Sequence, residues 1–110
     1  MSRVDTRRKA SAPVFAALGS ITRLELLSRL SDGREYSITA LTDDLELTRQ
    51  AITKHLQVLQ NAGIVSSRRV GRESRFAVQP GSITYAREYL TRVSDQWDEA
   101  ISRLRATVEQ

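Results

Sequence analysis

LTRQAITKHLQVLQNAGIV, residues 47–65, reads as an amphipathic helix bounded at both ends, and it decides the fold. At 100° per residue Ile52, Leu56 and Leu59 share one side, with Ala51, Val58 and Ala62 beside them. Arg49, Gln50, Thr53, Lys54, Gln57 and Asn61 occupy the other. Thr48 stands where an N-cap is needed, and Gly63 falls at the C′ position where a left-handed residue closes a helix. The polar side carries no carboxylate, although a surface helix ordinarily sets Glu beside Lys for i,i+4 support. Its side chains are instead those that read base edges: Arg and Lys for guanine, Gln for adenine, the Thr methyl for thymine.

The flanking segments give this helix a setting. Upstream, Ser37 caps a brief helix, ITALTDDLEL, that carries Ile38, Leu41 and Leu45 inward, so residues 48–62 form the second helix of a helix-turn-helix. Downstream, IVSSRRVGRESRFAV reads as two short strands around a turn at Val70, Gly71, Arg72 and Glu73. Val65, Val70, Phe76 and Val78 are the apolar strand positions. Arg68, Arg69, Arg72 and Arg75 sit between them, opposed within the hairpin only by Glu73. A helix presented to a major groove with a basic hairpin beside it is a winged helix-turn-helix. The expected fold class is therefore mainly α with a small β-hairpin wing, about five helices in all.

Outside this core the chain is simpler. Residues 1–10 carry Arg3, Arg7, Arg8 and Lys9 without an apolar period and read as a basic flexible arm, either a solvated tail or a contact to a phosphate backbone. PVFAAL reads as a short helix from Pro13 that Gly19 ends. SITRLELLSRL opens the next, with Ser20 as N-cap, Thr22 and Glu25 as a second capping box, and Ile21, Leu24, Leu26, Leu27 and Leu30 as a core-facing stripe. Asp32 and Gly33 stop it, and EYSI is a short pairing strand. A last helix begins at Pro80 or Ser82 and runs to about Val108. Ile83, Leu90, Trp97 and Leu104 recur in it every seven residues, with Ala86, Val93 and Ala100 between them and Ile101 and Val108 flanking, which is a heptad seam. Part of a seam on so long a helix requires a second copy of the chain.

Composition bounds the partners. The 110 residues suit one domain, with residues 11–80 as the core and 81–110 as a helix of the same domain. Seventeen Lys and Arg against thirteen Asp and Glu give a net charge of +4 and a pI near 10.1, a balance that favours polyanionic partners. No cysteine is present, so disulfides and thiolate metal sites are excluded. No apolar run approaches a membrane span, and the basic start lacks a signal peptide's apolar stretch, so a cytoplasmic protein is expected. No nucleophile with its base, no glycine-rich phosphate loop and no metal set is legible, so an enzyme and a cofactor are not expected. His55, the single histidine, lies in the apolar arc and reads as a structural residue rather than a ligand.

Roles follow from position. Arg49, Gln50, Thr53 and Lys54 lie near the start of the recognition helix and are candidates for base contacts, with Gln57 weaker. Thr48 and the neighbouring amides, at the positive end of the helix dipole, are placed for a phosphate. Arg68, Arg69, Arg72 and Arg75 alternate along the hairpin and cannot all face the duplex; Arg72, at the tip, is the one best placed to arrive. A two-fold dimer would place its recognition helices about 34 Å apart, on an inverted repeat of double-stranded DNA.

The chain resembles the ArsR/SmtB family of winged-helix repressors over nearly its whole length. FAALGSITRLELLSRL is similar to that family's opening pair of helices, with Thr22, Arg23 and Leu24 in its Pro-Thr-Arg-Leu motif and Ile21 where Pro is usual. TRQAITKHLQVLQNAGIVSSRRVGRESRFAV is similar to its recognition helix and wing, with His55 and Leu56, then Ala62 and Gly63, on its motifs. The resemblance implies a homodimeric operator-binding repressor whose first and last helices form the interface. That adds Phe15 to Leu90, Val93, Trp97, Ile101 and Leu104 as interface residues. Members that sense metals do so through cysteines in the third helix or paired histidines and carboxylates in the last. Here Asp43 and Asp44, then Asp95, Asp98 and Glu99, stand in those helices without Cys or His. No metal response is carried over. A small-molecule effector of the same kind of repressor, and a basic module docking an acidic protein, are the alternatives.

Overall fold

The computed structural model describes the backbone of residues 3–109, and the side chains from Ser11 onward except that of Ser82. Helices α1 (Arg3–Leu18) and α2 (Ile21–Leu30) lead to a short strand β1 (Tyr36–Ser37). Then follow α3 (Ile38–Asp44), α4 (Arg49–Asn61), β2 (Val65–Val70), β3 (Glu73–Val78) and α5 (Pro80–Glu109). The sheet has the order β1-β3-β2 with both pairings antiparallel. This is the winged helix-turn-helix expected from the sequence, with five helices and the long final one.

Local chemistry sets most boundaries. Ser20, Ser37 and Thr48 each sit in extended backbone and accept the amide of the residue three places on, so each removes one unpaired donor from a helix start. With Ser20 in that role, the box at Thr22 and Glu25 is not the cap. The end of α4 is a Schellman motif: Gly63, at φ 77°, donates to the Gln60 carbonyl at 2.9 Å, and Ile64 donates to that of Leu59 at 2.9 Å. Leu59 and Ile64 are both fully buried, which supplies the apolar contact of that motif. Between β2 and β3 the loop is two residues, Gly71 and Arg72, with Val70 paired to Glu73. Gly71 has φ 63°, as the first central position of a type II′ turn demands.

The core joins all five helices and the wing. Leu26, Leu30, Leu41, Ile52, Leu56, Leu59, Ile64 and Val65 are essentially inaccessible, with Val14, Ala17, Phe76 and Ala86 closing the cluster. One apolar stripe differs from its reading. Leu26 and Leu30 are buried in α2 and Leu27 is half-buried, whereas Ile21 is 78% and Leu24 50% exposed. Leu24 stands about 200° round the helix from Leu26, so the two cannot face one core, and the face carrying Leu26 and Leu30 is the one that meets α4 and the sheet.

The N-terminal region also differs. Residues 3–10, expected as an arm, are helical, and Pro13 lies inside α1 rather than at its start. Proline in a helix interior removes a donor and ordinarily breaks the helix, which is why the sequence suggests a start there. Here α1 runs against α5, with the Phe15 and Tyr89 rings 5.9 Å apart, and that packing holds what the local rule disfavours. Residues 1 and 2 of the expected arm lie outside the described residues.

Helix α5 extends beyond this body. Its 30 residues make a rod of about 45 Å at 1.5 Å per residue. The molecule measures 66 × 33 × 21 Å, and its radius of gyration of 18.2 Å exceeds the roughly 13 Å of a compact chain this long. No helix among the described residues is long and apolar enough to cross a membrane.

Candidate nucleic-acid interface

Helix α4 is fixed by one face and free on the other. Ile52, Leu56 and Leu59 are buried, while Arg49, Gln50, Thr53, Lys54, Gln57 and Asn61 are exposed. A helix so anchored cannot rotate, and its polar face is held outward. His55 braces it from the side: its Nδ1 lies 3.2 Å from a guanidinium nitrogen of Arg23 on α2, and Arg23 Nε donates to the Ala17 carbonyl of α1 at 2.5 Å. The structural reading of His55 is thus the one the contacts favour.

The exposed side chains are not equally free. The Thr53 hydroxyl donates to the Arg49 carbonyl at 2.8 Å, which commits its proton to the backbone. Gln57 donates to the Asn61 side chain at 3.0 Å. Arg49 reaches sideways to donate to the Thr39 hydroxyl of α3 at 2.9 Å. No hydrogen bond or ion pair among the described residues engages the side chains of Gln50 and Lys54. Thr48 sits beneath them as N-cap, its hydroxyl on the Ala51 amide at 3.1 Å.

In the wing the register sorts the arginines. Arg69 pairs with Ser74 and shares a face with Ser67, whose hydroxyl accepts from Gln60 of α4 at 3.0 Å. Arg69 is thus on the recognition-helix side. Arg68 and Arg75 pair with each other on the opposite face. There Glu35, just before β1, receives both Nε and Nη2 of Arg68, at 2.5 and 2.6 Å, and this bidentate bond holds the Glu35 carboxyl below its ordinary value. Arg75 is half-buried and 3.5 Å from Glu73. Arg72 lies exposed at the tip.

Of the expected groove and wing residues, Arg49, Arg69 and Arg72 therefore converge, Gln50, Thr53 and Lys54 form a second group along α4, and Arg68 and Arg75 turn away with acidic partners. Sequence reasoning missed Glu35, which lies 33 positions from Arg68 with no spacing rule to join them. It also missed Thr39, which looks like an ordinary helix residue until α3 is docked. Among the described residues, no three His, Asp or Glu side chains gather as metal ligands would.

A capped helix-turn-helix with a three-stranded wing defines a winged-helix DNA-binding regulator. The chain belongs to the arsR family of bacterial regulatory proteins, whose model matches residues 20–67. It is 46% identical over 65 residues to the uncharacterized HTH-type transcriptional regulator YuzN of Bacillus subtilis, covering 54% of this chain and 71% of that protein. It is 30% identical over 88 residues to the HTH-type transcriptional regulator Rv2034 of Mycobacterium tuberculosis, covering 80% and 78%. Among solved structures, an ArsR-like transcriptional regulator from Rhodococcus sp. RHA1 is 36% identical with a TM-score of 0.82, over 99% of this chain and 97% of that one. The family and these relatives are regulators of transcription, not enzymes.

Proposed function

We propose that this regulator is a homodimeric repressor that sets α4 into the major groove of an inverted-repeat operator, working in the cytoplasm where its DNA lies. The observation that carries the reading is the exposed, carboxylate-free face of α4, clamped from behind by Ile52, Leu56 and Leu59. Gln50, Thr53 and Lys54 supply base contacts, the first two matching adenine and the thymine methyl and the third guanine. Arg69 and Arg72 hold the backbone, with Thr48 and the first amides of α4 at another phosphate. Residues 11–80 form the DNA-binding core and 81–110 the dimerisation helix.

Dimerisation rests on α5. Leu90 is 52%, Trp97 66% and Leu104 65% exposed, with Ile101 beside them and Val93 half-buried. Such a row of large apolar side chains on one helix is far more than scattered surface residues explain. Phe15, its ring tilted against that of Tyr89, joins α1 to the same surface. A second copy covers this row, and two-fold symmetry then fixes two half-sites about one helical turn apart.

Selection of duplexes from a random library by the purified protein, in chelator and about physiological salt, tests this. An inverted repeat with half-sites about one turn apart is the expected product. Binding with no enriched sequence would sink the reading and leave a basic docking module. A small-molecule-responsive repressor has one observation in its favour: an open depression of about 450 Å³ where Pro13, Ala17 and Arg23 face Val58 and Asn61 of α4.

A further inference from the structure

Three arginines of this surface line one depression. It has a volume of about 250 Å³ and lies where the start of α4 meets the wing, lined by Arg49 of α4, Thr39 of α3, and Arg69, Arg72, Glu73 and Ser74 of the wing. We propose that Arg49, Arg69 and Arg72 form a single phosphate-binding cleft in which one backbone phosphate of the duplex bridges the recognition helix and the wing. Arg49 then clamps the backbone and does not read a base. This rests on the DNA-binding reading above and assigns its positions more finely.

Geometry and charge both lead there. The bond from Arg49 to Thr39 turns its guanidinium toward α3 and the wing, away from the face that carries Gln50 and Lys54. The strand register puts Arg69 on the α4 side, opposite Arg68 and Arg75. Those two arginines have carboxylate partners, Glu35 and Glu73. Arg49, Arg69 and Arg72 have no ion-pair partner among the described residues, and Glu73, the one carboxylate in the cleft, is engaged by Arg75 at 3.5 Å. Three arginines without ion-pair partners lining one hollow concentrate positive charge there, which favours an anion. A phosphate accepts the planar guanidinium fork and the hydroxyls of Thr39 and Ser74 alike. Arginine reads guanine by standing straight into the groove with both nitrogens on one base. The sideways Arg49 is not aimed that way.

A single experiment separates this from its neighbours. A duplex enriched by the wild-type protein is remade with one methylphosphonate at a time, so that single backbone charges vanish, and binding is measured by fluorescence anisotropy. Wild type is expected to lose about tenfold at one phosphate, or two adjacent ones, in each half-site. Arg49→Ala, Arg69→Ala and Arg72→Ala, all at exposed positions where the fold tolerates truncation, are expected to lose less than about threefold at that same phosphate. Arg49→Lys is expected to recover part of the sensitivity. Arg49→Ala, selected against the random library, is expected to return the wild-type sequence. If Arg49→Ala stays fully sensitive at the phosphate where Arg72→Ala is not, or returns a changed base, the cleft is overturned while DNA reading stands. If wild type enriches no sequence, the DNA-reading proposal and the cleft both fall.

Discussion

Glu35 and Arg68, two strands apart across the wing, are joined by a bidentate ion pair at 2.5 and 2.6 Å. The pair neutralises an arginine that composition would count toward DNA. Glu35→Gln is therefore expected to release Arg68 and steepen the salt dependence of duplex binding by up to about one charge, whereas Arg68→Ala leaves the slope unchanged. Titration of affinity against salt for both variants checks this; a flattened slope for Arg68→Ala would place that residue on the DNA.

The same pair carries a pH signature. Arg68 hydrogen bonding holds the folded-state carboxyl of Glu35 below its ordinary 4.5, so the unfolded chain binds the proton more readily. The stabilisation is thus fully present above about pH 4.5 and disappears as pH falls through the lower folded value. Wild type and Glu35→Gln should differ in urea midpoint at pH 7, and the difference should shrink as pH falls below the ordinary carboxylate range. A constant difference across that range would separate the pair from stability.

Arg23 can only donate, so the 3.2 Å contact makes His55 Nδ1 the acceptor and leaves the ring proton on Nε2. His55→Ala removes the acceptor and some packing at a half-buried site, and is expected to cost about 1–2 kcal/mol in urea unfolding. His55→Gln, which keeps an acceptor oxygen, should recover part of it. Equal losses in the two variants would mean that the ring's packing, not its bond to Arg23, is what matters.

Gly63 and Gly81 make a controlled comparison, since a Cβ at either meets nothing within 4 Å. Gly63 is left-handed, so Gly63→Ala is expected to cost about 1–2 kcal/mol through the backbone alone. Gly81 lies in the first turn of α5 without a positive φ, and Gly81→Ala should stabilise by about 0.5 kcal/mol. Thermal melts of both variants settle the pair of signs.

Leu90→Asp puts a charge into the proposed helix–helix contact and is expected to halve the mass seen in light scattering and weaken DNA binding at least about tenfold, with no groove residue touched. An unchanged mass would show that α5 does not hold the copies together.

What could be read from the sequence was whatever local chemistry decides. Ser20, Ser37, Thr48 and Gly63 are caps by residue type and position, Gly71 and Arg72 mark where the hairpin turns, and the period of Ile52, Leu56 and Leu59 orients α4. What could not be read depends on partners distant in sequence. Pro13 is a local stop signal, and only packing on α5 carries α1 through it. Ile21 and Leu24 match a helical stripe as well as Leu26 and Leu30 do, and docking against α4 chooses between them. The fate of each wing arginine was equally hidden. Strand parity splits them into two faces, but which face holds an acid depends on Glu35, supplied from before β1.

Helix α4 opens without an acidic residue in its first turn. The partial positive charge of its exposed end is therefore left uncompensated by the chain, and stability of roughly 0.3–1 kcal/mol that a carboxylate there would contribute is forgone. Gln50→Glu would recover it, melting higher while repelling the polyanion and losing the amide that would read adenine. Evolution toward heat resistance and evolution toward a tighter grip on DNA pull this one position in opposite directions, so a variant library ranked by melting temperature alone would enrich for silent regulators.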